Sequence, residues 1–185
     1  MRLFVAVWPS VEVMAEVGAL PRPAVDGVRW TTPDQWHATL LFLGEVPDDP
    51  DLLIELEEAL LRAAADHGPL EATVGPVTQL IGPQVLCIPV SGLERVATSV
   101  RRELVDVVDP PVGDVLADGR LRPFCGHLTL ARARRGRRIP RRLVGLPMSA
   151  PWSVDRLSLV ASRREAGGSR YDRLLQAPLG GRLRR

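Results

Sequence analysis

Lysine is absent from this chain: all 24 of its basic residues are arginine. A coding bias accounts for that absence, but not for where the arginines fall. Residues 1–93 hold 4 arginines against 13 acidic residues, net −9, and residues 94–185 hold 20 against 9, net +11. A basic half suits a phosphate-bearing partner, through counterion release and bidentate guanidinium–phosphate bonding, with loose surface charge as the alternative. Cysteine is almost absent too. Cys87 and Cys125 form no Cys-x-x-Cys pair and have no clustered third ligand, which argues against a zinc site and fits free thiols in a reducing compartment. No apolar run approaches the ~18–20 residues that span a bilayer. The opening Met1–Pro9 is too short for a signal peptide and reads as a first strand ended by Pro9. A cytoplasmic protein with no membrane partner, acting as a monomer, is expected.

Histidine is scarce as well, and its placement is informative. Of three histidines, two open the same tetrapeptide, His37-Ala38-Thr39-Leu40 and His127-Leu128-Thr129-Leu130. Runs rich in Leu, Thr and Phe bounded by turn formers read as strands. Because side chains i and i+2 share a strand face, His37 and Thr39 point one way while Ala38 and Leu40 enter a core. His127 and Thr129 repeat the arrangement. A titratable ring beside a hydroxyl donor, presented twice, suits proton transfer around an anion. The third histidine, His67, precedes Gly68-Pro69 at a helix end, where it reads as structural or exposed.

Helical periodicity covers Val11–Leu20 behind a Ser10 cap, a helix from Asp51 to His67, and Leu93–Val108. Strands are expected at Val28–Trp30, at 70–80 and 84–90 around Gly82-Pro83, and at Trp152–Ala161 and Tyr171–Leu179. Gly/Pro/Asp-rich residues 110–119 and arginine-rich residues 132–142 read as loops. Arg134, Arg135, Arg137 and Arg138 in the latter either track the backbone of a phosphate-bearing partner or are simply solvated. The order of elements and the repeated tetrapeptide imply an α+β fold over 1–185 as one domain of two similar lobes. Each lobe is an antiparallel sheet with helices outside, one carrying His37-x-Thr39 and the other His127-x-Thr129, across a pseudo-two-fold cleft.

These motifs and their flanks resemble the 2H phosphoesterase superfamily, and within it the RNA 2′,3′-cyclic phosphodiesterases once described as 2′-5′ RNA ligases. Arg2–Val7, Val28–Trp30, Phe42-Leu43-Gly44-Glu45-Val46, His127–Arg132, and Ser162-Arg163 with Gly168, Arg170 and Tyr171 are all similar to that family. One departure is Cys125-Gly126 where family members often place proline before the second histidine. A flexible Gly126 there is expected to loosen the start of the strand.

The resemblance implies hydrolysis of an RNA end bearing a 2′,3′-cyclic phosphate to a 2′-phosphomonoester. His37 would be the acid toward the leaving 3′-oxygen and His127 the base on water, with no metal or other cofactor demanded. The near-symmetry of the site would also permit a weak ligase direction. Thr39 and Thr129 would hold the phosphate oxygens. Arg132 would neutralise the phosphate, although strict alternation puts it opposite His127 and Thr129 unless a twist or bulge redirects it. Phe4 and Trp30 are candidates to stack on a base, with core packing as the alternative. Ser162 and Tyr171 are strand positions without an assigned role. Two rivals stand beside this reading: a binding module for RNA or nucleotides without turnover, and the same chemistry on small cyclic nucleotides or 2′-5′ oligoadenylates.

Overall fold

A computed structural model describes residues 1–108, 123–165 and 168–181. In order, the elements are β1 (Arg2–Val7), α1 (Val11–Ala19), β2 (Val28–Trp30), β3 (Ala38–Glu45), α2 (Pro50–Ala65), β4 (Leu70–Val74), β5 (Gln79–Ile81) and β6 (Val85–Ser91). Then follow α3 (Glu94–Leu104), β7 (His127–Ala133), β8 (Ala150–Val154), β9 (Arg156–Glu165) and β10 (Gly168–Pro178). The loop expected over 110–119 lies outside the described residues. The fold is α+β: an antiparallel sheet in the order β10-β9-β1-β3-β7-β6-β4-β8, with β2 beside β7, β5 beside β6, and, among the described residues, three α-helices. No helix among the described residues is long and apolar enough to cross a membrane.

The two central strands carry the histidine motifs. On one flank stand β1, β9 and β10; on the other stand β6, β4 and β8. Each flank begins with a strand that runs into a helix, β1 into α1 and β6 into α3, and the chain then returns to the centre as β3 or β7. The last two strands depart from the sequence expectation. The run read as one strand over Trp152–Ala161 is two, because β8 ends at Val154 and β9 begins at Arg156. Those strands lie toward opposite ends of the strand order yet are joined by Asp155 alone, so the sheet curls until its ends approach. The Asp155 carbonyl accepts the Leu179 N–H at 2.8 Å in that corner. Likewise the strand expected over 70–80 breaks at Gly75-Pro76, because proline has no N–H to give a ladder.

Helix faces explain which side of the sheet is filled. Leu56, Ala59, Leu60 and Ala63 form the buried stripe of α2, and Val96, Ala97, Val100 and Leu104 that of α3. Both pack in one large core with Leu3, Val5 and Val7 of β1 and with Leu40, Leu41, Leu128 and Leu130. His67 fixes the end of α2 to α3 through its Nε2, 2.8 Å from the Ser99 hydroxyl. The alternate residues of β1 face the other way. Phe4 and Ala6 join Val160, with Trp8, Phe42 and Tyr171 at the edge, in a second, small apolar cluster on the opposite face of the sheet. That cluster is the floor of the cleft.

Candidate active site

The two motif strands meet at one antiparallel pair, Ala38 with Leu128. The register set by that pair puts His37 opposite Thr129 and Thr39 opposite His127, so each imidazole neighbours the other motif's hydroxyl. His37 lies one residue before β3, whereas His127 is the first residue of β7. All four side chains line one cleft of about 360 Å³.

Arg132 lines the same cleft, against strict alternation. The reason is a bulge. Cys87 of β6 pairs with Thr129 and the next residue back, Leu86, pairs with Ala131, so Leu130 is left over on β7. Leu130 and Ala131 are therefore both buried, and Arg132 returns to the face of His127 and Thr129. The first motif does the same. Ala6 pairs with Thr39 and Val5 with Leu41, leaving Leu40 over, and Phe42 returns to the cleft. Phe42 thus occupies in the first motif the place Arg132 holds in the second. It carries a cation at second hand, because the Arg2 guanidinium sits 4.7 Å from its ring centre.

A residue outside the motifs fixes the second bulge. Thr31 is 6% exposed, and its hydroxyl lies 2.7 Å from the Thr129 carbonyl and 2.8 Å from that of Leu130. Its backbone N–H also donates to Leu130 at 2.8 Å, and the Trp36 indole donates to its hydroxyl at 3.0 Å. The Thr31 hydroxyl is thus satisfied both as donor and as acceptor, as a buried polar group requires.

The rings are held differently. His127 turns Nδ1 to the Cys125 carbonyl at 2.9 Å, which assigns the proton to Nδ1 in the neutral ring and leaves Nε2 for the cleft. Gly126 between them is required by space: a β-carbon there would lie 2.4 Å from the Val90 carbonyl oxygen. The expected looseness gives way to close packing, reinforced by Val90 N–H donating to Gly126 at 2.8 Å. His37 is enclosed by aromatics. Phe4 stacks on it at 4.9 Å, Trp8 lies tilted at 5.2 Å, and Tyr171 meets it edge-on at 4.8 Å. Its Nδ1 is buried and makes no hydrogen bond of normal geometry, although the Gln35 backbone approaches closely enough to favour the protonated ring. Burial outweighs that help. With the positive charges of His127, Arg132 and Arg173 added, it lowers the His37 pKa to about 4.

The other expected positions divide. Phe4 is 4% exposed and lies against His37, so it supports the ring and offers little surface to a base. Trp30 packs on the main core, its indole donating to Pro23 at 3.1 Å, and does not line the cleft. Arg134, Arg135, Arg137 and Arg138 are exposed beyond β7, and Arg137 pairs with Asp26 at 2.8 Å. Arg2, Arg29, Thr31, Gln35, Phe42, Arg164 and Ser169 also line the cleft, beyond the expected positions. Parity along β1 and β9 would have flagged Arg2 and Arg164, since they alternate with core residues. Among the described residues, no three His, Cys, Asp or Glu side chains are grouped to hold a metal.

Comparison with known proteins gives a consistent result. A family model described as LigT-like phosphoesterase matches residues 12–79. An RNA 2′,3′-cyclic phosphodiesterase of Thermus thermophilus is 33% identical over 179 residues, 92% of this chain and 86% of that protein. The crystal structure of TT0787, also from Thermus thermophilus, superposes with a TM-score of 0.80 at 27% identity, covering 98% of this chain and 99% of that one. Escherichia coli LigT complexed with 3′-AMP superposes with a TM-score of 0.64 at 25% identity, covering 96% and 97%.

Proposed function

Because this chain belongs to the LigT-like phosphoesterase family of the 2H superfamily, we propose that it hydrolyses the 2′,3′-cyclic phosphate at an RNA end to a 2′-phosphomonoester. The observation that carries this reading is the convergence of two imidazoles, two hydroxyls and Arg132 on one cleft whose described lining holds no carboxylate. A carboxylate there would repel a phosphodiester; arginine attracts it.

In the proposed reaction His127 takes a proton from water as the water oxygen bonds to phosphorus. The bond from phosphorus to the 3′-oxygen breaks, and His37 delivers a proton to that oxygen. One water is consumed, one P–O bond forms and one breaks. Thr39 and Thr129 donate to the non-bridging oxygens, and Arg132 balances the charge that builds on them. His37 rests neutral at pH 7, since its pKa is about 4. An anionic phosphate before the ring opposes the repulsion from Arg132 and Arg173, so the substrate itself favours the protonated acid. A 5′-hydroxyl in place of water would join two ends through a 2′-5′ linkage, the weak ligase direction. Acid and base both come from imidazole, so the scheme calls for no metal.

The test is an RNA oligonucleotide ending in a 2′,3′-cyclic phosphate, incubated in EDTA, with the product isomer identified. A 2′-phosphate is expected, and each of His37→Ala and His127→Ala is expected to lower the rate by roughly 10²–10⁴-fold while RNA binding persists. A 3′-phosphate product would overturn the assignment of the leaving oxygen. Loss of activity in EDTA would overturn the scheme's independence from metal. Hydrolysis that survives both substitutions would overturn the histidine pair.

A further inference from the structure

The cleft carries more positive charge than one cyclic phosphodiester, with its single negative charge, requires. Arg2 and Arg164 line it from the β1 and β9 side, two and three strands away from Arg132 on β7. How the C-terminal hairpin distributes its arginines shows that this is not loose surface charge. Arg163 is neutralised by Asp172 at 3.4 Å, and Arg170 by Asp172 at 3.2 Å and Glu165 at 3.8 Å. Arg164, between them in sequence and turned to the cleft, pairs with no carboxylate among the described residues. Nor does Arg2, whose guanidinium rests on the Phe42 ring.

Each of these two cations stands beside a hydroxyl. Ser162 is the cross-strand partner of Arg2, and Ser169 that of Arg164, and both serines line the cleft. Directly opposed residues share a face and lie about 5 Å apart. Two guanidinium–hydroxyl pairs therefore sit side by side, a donor set suited to the oxygens of a phosphate. The C-terminal hairpin is drawn toward the first motif where the Gln35 side chain donates to the Ser169 carbonyl at 2.6 Å. Across the strands, the β3–β7 seam and the β1–β9 ladder are two interstrand spacings apart, about 10 Å. One ribose reaching from its 2′,3′-cyclic phosphate to its 5′-oxygen spans much of that, and a flexible arginine stem closes the remainder.

We infer that Arg2 and Arg164, with Ser162 and Ser169, form a subsite for a second phosphate, the one on the 5′-oxygen of the nucleotide whose cyclic phosphate is opened. This rests on the reaction proposed above for where the first phosphate lies. The subsite makes the enzyme selective for chain ends and 5′-phosphorylated nucleotides over bare nucleoside cyclic phosphates. A 5′-monophosphate and an internucleotide phosphodiester share the chemistry that the subsite reads.

Three substrates separate these cases: a nucleoside 2′,3′-cyclic phosphate with a free 5′-hydroxyl, the same compound with a 5′-phosphate, and a dinucleotide ending in the cyclic phosphate. For the unaltered protein, kcat/KM is expected to be about 10-fold or more higher on the second and third than on the first, the gain lying in KM. A gain on the dinucleotide alone assigns the subsite to chain ends; a gain on both assigns it to any 5′-phosphate. In Arg164→Gln and in Arg2→Gln that ratio is expected to fall toward 1; Arg164 is exposed, so its replacement leaves the fold intact. An unaltered ratio in both variants, or a ratio near 1 in the unaltered protein, overturns the subsite. Calorimetric titration with adenosine 2′,5′-bisphosphate against 2′-AMP reads the same preference without turnover. Preferential binding of the bisphosphate, lost in the variants, upholds the subsite even where the hydrolysis assay fails. Hydrolysis without any 5′-phosphate effect removes the subsite and leaves the reaction standing.

Discussion

His37 is a titratable ring set inside a cage of Phe4, Trp8 and Tyr171, and the cage makes folding depend on pH. Its pKa is about 4 in the folded chain, chiefly through burial, against about 6.5 in an unfolded one. Between those values the unfolded chain binds the extra proton, so acid favours unfolding. The contribution is complete above pH 6.5 and is lost as pH falls through about 4, amounting to about 3 kcal/mol. Denaturant titrations from pH 7 to pH 4 are expected to show that loss, and His37→Asn, with no titrating ring, a flatter profile over the same range. Equal slopes for the two proteins would sink the account. His127 differs in its surroundings: it has a fixed carbonyl partner in Cys125 and no aromatic cage among the described contacts. Two residues of one type in matched tetrapeptides thus meet unequal environments, and the difference comes from side chains far away in sequence.

Within the strands, the decisive feature is the bulge that follows each motif threonine. Leu40 and Leu130 are each an extra residue in their ladder, and each lets the next residue but one, Phe42 or Arg132, return to the cleft. The second bulge depends on Thr31, which couples β7 to the segment after β2 and to Trp36. Thr31→Val keeps the shape and removes the hydroxyl. It deprives the buried Trp36 indole N–H and the Thr129 carbonyl of the hydroxyl, while the Leu130 carbonyl keeps the backbone N–H of residue 31, at a cost of about 1–3 kcal/mol. The expected outcome is a lower melting temperature and, because Arg132 loses its fixed bearing, a KM raised about 10-fold with kcat less affected. Thr31→Ser is expected to restore both. A Val variant that is destabilised but keeps its KM would reduce Thr31 to a structural role. Much at this scale was readable beforehand. Ser10 caps α1 through an oxygen that accepts from the Val13 N–H at 3.3 Å, and the apolar stripes of α2 and α3 face inward as their spacing requires. Trp30 was not: an aromatic on a short strand can face either way, and its neighbours decided for the core.

Taken whole, the molecule undoes the division of charge along its chain. The cleft takes Arg2 and Arg29 from the acidic half and Arg132 and Arg164 from the basic half. Curling brings them together, because β9 of the C-terminal segment pairs with β1 of the N-terminal one. An anionic ligand held by such a cleft releases counterions from itself on binding, so kcat/KM on RNA is expected to fall with salt. A logarithmic slope of about −0.7 per phosphate engaged applies to single strands, hence about −1.4 for two. A slope near zero would show that the cleft arginines do not touch phosphate.

The paired His-x-Thr tetrapeptides, their apolar backing and the helix stripes are local patterns, and the sequence alone determined them because periodicity and burial act over a few residues. What only the tertiary structure decided is which face the residues beyond each motif take, and which distant groups they meet. A bulge reverses every later side chain, and it arises from pairing with another strand; Leu130 is extra only because Leu86 and Cys87 lie across from it. For the same reason, the approach of Arg2 and Arg164 to one cleft exists only once the ladder joining the two ends of the chain has formed.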